Sequence, residues 1–308
     1  MKSIVRFVTL AALGWVFAPG VAGAEVRETT LTAAATSWEI APGRTVAAWT
    51  YNGTVPGPVI RANPGDSIRV TLVNALPEPT TIHWHGVPVP NGMDGVPGVT
   101  APVVNPGQSF TYEFPAPAPG TYWYHPHHDS AAQVARGLYG LLIVDPAAKT
   151  WDRQTALVIG EMGLGLGMTT GASGSRGMGG MGAGGGMSGG TGTGMMAGTL
   201  LINGKTAPAI PEVRVRRGER VLFRMVNTGN MVHPMHVHGM RWEVVATDGY
   251  PLAQSYLKDT LPLNAGERYD GILLADNPGR WLIHCHNLEH VGESGGTMTG
   301  LVFELVVE

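Results

Sequence analysis

Pro119-Gly120-Thr121-Tyr122-Trp123-Tyr124-His125-Pro126-His127 returns 159 positions later as Pro278-Gly279-Arg280-Trp281-Leu282-Ile283-His284-Cys285-His286. Upstream, Gly65-Asp66-Ser67-Ile68-Arg69-Val70, Val73-Asn74 and His83-Trp84-His85-Gly86 return 153 positions later as Gly218-Glu219-Arg220-Val221, Val226-Asn227 and His236-Val237-His238-Gly239. The chain is therefore one unit written twice, from about 25 to 147 and from about 148 to 308. Helical periodicity is weak. Runs rich in Val, Thr, Leu and Ile are bounded by Pro and Gly, which reads as all-β, a sandwich or barrel in each copy. A length of 308 residues suits two such domains.

Ten of the eleven histidines fall into four clusters, and the single cysteine sits inside one of them. Side chains i and i+2 of a strand share a face, about 6.5–7 Å apart. His284 and His286 therefore point one way and Cys285 the other, so one strand serves two centres. The copies also differ. At the offset of 153, His233 corresponds to Thr80; at 159, Cys285 corresponds to Pro126 and His290 to Ala131. Only the second copy has the extra His, Cys and His. Two imidazoles and a thiolate, His233, His290 and Cys285, with a weak axial thioether make a blue-copper electron-transfer site. The other eight, His83, His85, His125, His127, His236, His238, His284 and His286, bring no carboxylate or thiolate. Eight neutral imidazoles suit copper, whereas one structural zinc would need only four donors.

The first 24 residues read as a secretory leader: Lys2 and Arg6, an apolar run from Phe7 to Ala18, and Ala22-Gly23-Ala24 before Glu25. Its removal would take the net charge from −3 to −5, through loss of Lys2 and Arg6. An exported protein, periplasmic or secreted, with one cysteine has no internal disulfide. A free thiol there is a liability that metal binding removes. No basic stripe suggests a nucleic-acid partner, and no later segment is long and apolar enough to hold the mature form in a membrane.

His-x-His-Gly, His-x-His, His-Pro-x-His-x-His and His-Cys-His-x3-His in combination closely resemble the multicopper oxidases with two cupredoxin domains, the two-domain or small laccases. The resemblance covers nearly the whole chain after the leader. It implies tandem Greek-key cupredoxin domains and four copper ions per chain. His233, Cys285 and His290 would hold the type 1 copper. His83 and His236 would hold type 2. His85, His125, His127, His238, His284 and His286 would hold the type 3 pair. The family's axial residue usually lies ten positions after the cysteine. Here that is Gly295, so the loop from Val291 to Thr297 looks lengthened and Met298 is the expected axial ligand; an empty or apolar axial position is the alternative. Asp94, in Asn91-Gly92-Met93-Asp94-Gly95, resembles the family's proton-delivering acid near type 2 copper, although the same residues fit a plain turn. Some relatives carry an acid directly after the second type 1 histidine; here that place is Val291, leaving Glu289, Glu293 or water for that side.

The resemblance further implies that small-molecule reductants give electrons one at a time to the Cys285 centre, and that these pass through the flanking histidines to a three-copper cluster reducing O2 to water. In two-domain relatives that cluster forms between subunits, so a homotrimer is expected. A stretch from Gly163 to Gly198, with 17 glycines and six methionines, reads as a mobile insertion. Its thioethers, from Met168, Met178, Met181, Met187, Met195 and Met196, are soft donors for Cu(I). Cu(I) is thus an alternative substrate to phenols, unless the methionines are incidental to a low-complexity linker. Two rivals stand beside the oxidase: an exported copper-sequestering protein without turnover, and a copper nitrite reductase. The latter would carry its type 1 site in the first domain, against which Thr80, Pro126 and Ala131 argue.

Overall fold

The computed structural model describes residues 24–163 and 198–308. The expected leader and the glycine- and methionine-rich insertion, but for residues at their edges, lie outside the described residues.

The first copy holds β1 (Val26–Ala41), β2 (Arg44–Tyr51), β3 (Gly57–Ala62), β4 (Ser67–Asn74), β5 (His83–His85), β6 (Ser109–Pro115), β7 (Gly120–His125), a short helix α1 (Ser130–Ala135) and β8 (Gly140–Val144). They form two four-stranded sheets, β2-β1-β4-β6 and β3-β8-β7-β5. The second copy continues with β9 (Arg153–Met162), β10 (Thr199–Ile202), β11 (Val213–Val215), β12 (Arg220–Asn227), β13 (His233–Val237), β14 (Trp242–Thr247) and β15 (Tyr250–Lys258). It ends with β16 (Thr260–Leu263), β17 (Arg268–Leu274), β18 (Gly279–Cys285), β19 (Val291–Ser294), β20 (Thr297–Gly300) and β21 (Val302–Val307). Its two main sheets run β10-β9-β12-β17-β14-β15 and β11-β21-β18-β13-β16.

The sequence repeat is a repeat of pairing. β1 lies parallel to β4 as β9 does to β12, and β3 parallel to β8 as β11 does to β21. The antiparallel pairs β4–β6, β7–β8 and β5–β7 return as β12–β17, β18–β21 and β13–β18. Alternation drives this. Ile68, Val70 and Leu72 of β4 are fully buried while Ser67, Arg69 and Thr71 look outward. Each buried aliphatic side chain contributes about 1.5–3 kcal/mol. Each copy closes on its own core, around Trp84, Tyr112 and Phe114 in the first and Phe223, Trp242 and Met235 in the second.

The copies differ where the second needs more. β14 to β16 occupy the place of a long loop in the first copy. After His290 the second copy forms the hairpin β19–β20, turned through Gly295 and Gly296 at φ 59° and 76°, left-handed values that glycine adopts without a Cβ clash. At the corresponding point the first copy has α1.

A third apolar cluster, including Ile40, Trp123, Tyr139, Val158 and Val226, draws on both copies. Beside it Arg224 and Asp270 are buried together, 3.2 Å apart. Thr121 of the first copy donates to Asp270 at 2.5 Å and accepts from Arg224 at 2.7 Å. Burial works against charge on both, lowering the pKa of Arg224 and raising that of Asp270.

Candidate metal centres

β13 and β18 pair so that Met235 faces Cys285 and His236 faces His284. The pleat sends these two rows to opposite faces. Met235 and Cys285 enter the core, both fully buried. His236 and His284 meet on the other side, rings 5.6 Å apart.

On the core side, Cys285 Sγ lies 3.8 Å from His233 Nδ1 and 3.5 Å from His290 Nδ1, and the two nitrogens are 3.1 Å apart. Three donors converge on one point, each from a buried residue. The backbone holds them there: Cys285 donates its N–H to Leu301, whose own N–H donates to the carbonyl of His290. Burial pushes the Cys285 thiol up to about 11, with a partial offset from the N–H of Asn287. The thiol therefore keeps its proton at neutral pH until a cation displaces it. The corresponding place in the first copy holds no such set. There Thr80 donates to Gln133 at 2.7 Å, and Gln133 belongs to α1.

Two sets of imidazoles gather outside the cores, one per copy. In the first, His83, His85 and His125 bring ring nitrogens within 4.8 Å of one another, and His127 lies against His83 with rings 5.4 Å apart. In the second, His238 and His284 meet at 3.0 Å between Nε2 atoms, and His286 packs against His236 with rings 5.5 Å apart. His127 and His286, equivalent in the repeat, are both exposed.

The copies also orient their rings alike. His83 donates Nδ1–H to the carbonyl oxygen of Asp94 at 2.9 Å, as His236 does to that of Asp259 at 3.1 Å. His125 donates to Pro126, as His284 does to Cys285, each at 2.9 Å. In all four the bond fixes the tautomer and leaves Nε2 bare to bind a metal. Burial lowers His125 to about 3 and His85 to about 4, which keeps these two rings neutral. Trp123 stacks on both of these. Among the described residues the ring contacts stay within each set; none joins the two.

Asp94 closes the short turn Asn91–Met93, its carboxylate 3.3 Å from His83 Nδ1. Gly95 lets that turn lie on β5, because a Cβ there would meet the carbonyl of Ile82. Met298 sits on β20 opposite Glu293 and is 38 % exposed. It lines an outward cavity of about 580 Å³ with Pro208, Ile210 and Leu282. Two acidic residues beyond those expected touch the histidines. Asp259 is one. Glu161, whose carboxylate lies 3.1 Å from His233 Nε2, is the other. No spacing signals either, since they lie 23 and 72 residues from the histidines they touch.

Residues 32–149 and 187–303 each match a family model described as multicopper oxidase. The solved blue copper oxidase from Nitrosomonas europaea is 31 % identical, superposes with a TM-score of 0.78, and is matched over 92 % of this chain and 86 % of its own. The chain belongs to the multicopper oxidases. This multicopper oxidase is equally similar to the solved multicopper oxidase mgLAC, with 33 % identity, a TM-score of 0.79, and coverage of 92 % and 87 %. Multicopper oxidase MmcO of Mycobacterium tuberculosis is 33 % identical over 254 residues, 76 % of this chain. The chain spans about half (49 %) of that relative's length. Two cupredoxin-like domains and copper as the metal follow from membership, and the donors fit copper: one thiolate with imidazoles on one side, imidazoles alone on the other.

Proposed function

We propose that this two-domain multicopper oxidase couples one-electron oxidation of a small reductant, a phenol or other aromatic or Cu(I), to reduction of O2 to water. The observation that carries this is the two-faced strand β18, with Cys285 among two imidazole Nδ1 atoms on one face and His284 on the other. His233, Cys285 and His290, with Met298, would hold a type 1 ion. His83 and His236 hold type 2, and His85, His125, His127, His238, His284 and His286 the type 3 pair, four ions per chain. Bound there, copper supplies one-electron exchange at the thiolate centre and four-electron chemistry with O2 at the imidazole cluster.

The protein's part is to orient and connect. Backbone carbonyls aim four Nε2 atoms, and two peptide bonds join Cys285 to His284 and His286. Of the three imidazole and thiolate donors, His290 alone has measurable exposure, 8 % against 0 %; it is where an outer-sphere donor gains closest approach. The Asp94 carboxylate, beside His83, holds and passes protons toward oxygen.

Because each imidazole set has an exposed member, His127 in the first copy and His286 in the second, and no ring contact joins the sets among the described residues, we infer that the cluster is completed between subunits, as a homotrimer in which the first domain (25–147) of one chain meets the second (148–308) of the next. The chain is proposed to be exported after loss of residues 1–24, to the periplasm or beyond.

Copper analysis, an absorption spectrum, oxygen uptake with a phenol or Cu(I), and sedimentation test this together. A thiolate–copper band, about four ions per chain, a trimer and oxygen consumption are expected. Copper without oxygen uptake would favour sequestration instead.

A further inference from the structure

One buried acid touches the Cys285 centre without belonging to the expected ligands. Glu161, on β9, is 6 % exposed. Its Oε1 accepts the Nε2–H of His233 at 3.1 Å and the N–H of Met231 at 2.7 Å. Gly229 leaves room for it, because a Cβ there would stand 2.3 Å from the same oxygen.

The first copy separates two reasons for such an acid. Ala33 pairs with Asn74 on β1 and β4 as Ile159 pairs with Asn227 on β9 and β12. Two residues on, Ala35 occupies the place of Glu161. The loop that follows is closed alike in both copies. Asn74 donates to Glu78 and Val104 and accepts from Leu76. Asn227 donates to Met231 and Leu263 and accepts from Gly229. The loop therefore closes without an acid. What the first copy lacks along with the acid is the histidine, since Thr80 stands where His233 does.

We propose, resting on the copper reading above, that Glu161 is a positioning residue of the thiolate centre: it holds His233 in the tautomer that bares Nδ1 and sets a fixed negative charge behind that ring. A carboxylate there makes the imidazole a stronger donor. It favours the more positive, oxidised ion and so lowers the reduction potential.

The test uses the full-length protein with Glu161→Gln, which keeps an acceptor but removes the charge, and Glu161→Ala, which removes both. In the metal-free protein, nitrogen NMR of the His233 ring is expected to show Nε2–H in wild type and Glu161→Gln, and a mixture of tautomers in Glu161→Ala. In the copper-loaded protein, redox titration of the thiolate–copper band is expected to move about tenfold toward the reduced ion in Glu161→Gln, about 59 mV for one electron. A potential within twofold of wild type in Glu161→Gln overturns the charge role. An unchanged tautomer in Glu161→Ala overturns the positioning role. If Glu161→Ala does not fold, the potential of Glu161→Gln decides. A wild-type protein that binds copper without a thiolate band overturns the copper reading and the charge role with it, while the metal-free ring measurement still judges the tautomer.

Discussion

His83 donates its Nδ1–H to the main-chain oxygen of Asp94, 2.9 Å away, while the carboxylate of the same residue stands 3.3 Å from that nitrogen. One residue thus offers two separable services. Its carbonyl aims the ring, and its side chain offers a proton site. Asp94→Asn keeps the first and removes the second. Copper content and the visible spectrum should be unchanged, while oxygen turnover falls by about 10²-fold, the low end for general acid–base catalysis. Loss of copper in this variant would mean the carboxylate holds the metal site rather than the proton.

The metal-free protein should lose stability as pH falls. Burial lowers His125 to about 3 and His85 to about 4, while in the unfolded chain both return to about 6.5. Between those values the unfolded chain binds more protons. The contribution from these rings is therefore complete above about pH 6.5 and drains away as pH drops through 4 and then 3. Urea midpoints of the metal-free protein should decline steadily from pH 7 to pH 4; a flat profile contradicts the burial.

Arg224→Met should cost roughly 3–5 kcal/mol, because it leaves the buried Asp270 without its closest counter-charge. Denaturant unfolding measures this. Since Thr121 of the first copy bonds both partners, the variant should also loosen the contact between copies, read as faster amide exchange along β7 and β17.

Met298→Leu asks whether the thioether is a donor. Its removal should raise the type 1 potential. At 38 % exposure Met298 is the least enclosed member of the proposed set. An unchanged potential would assign the axial place to an apolar wall.

The repeat was legible because strand pairing follows strand spacing, so Gly65 to Asn74 and Gly218 to Asn227 fold into β4 and β12 with the same neighbours. The convergence of His233, Cys285 and His290 was legible for the opposite reason: they are the residues the other copy lacks. The three strands β14 to β16 were not. The two offsets differ by only six residues, so an exchange of a loop for three strands left almost no trace in length. Helix α1 was hidden because it spans barely two turns and has no apolar period to read. Glu161 was hidden by distance along the chain. Its one signal was Ala35 at the same place in the repeat, which register shows and motif reading does not.

The shared strand has a further consequence. Cys285 and His284 are neighbours in the covalent chain, so no hinge between the halves of the molecule can separate donor entry from the wire that leads away from it. In the proposed trimer the other end of that wire is held only by contact between chains. Dilution should therefore leave a protein that keeps its blue colour, accepts a single electron, and has nowhere to send it.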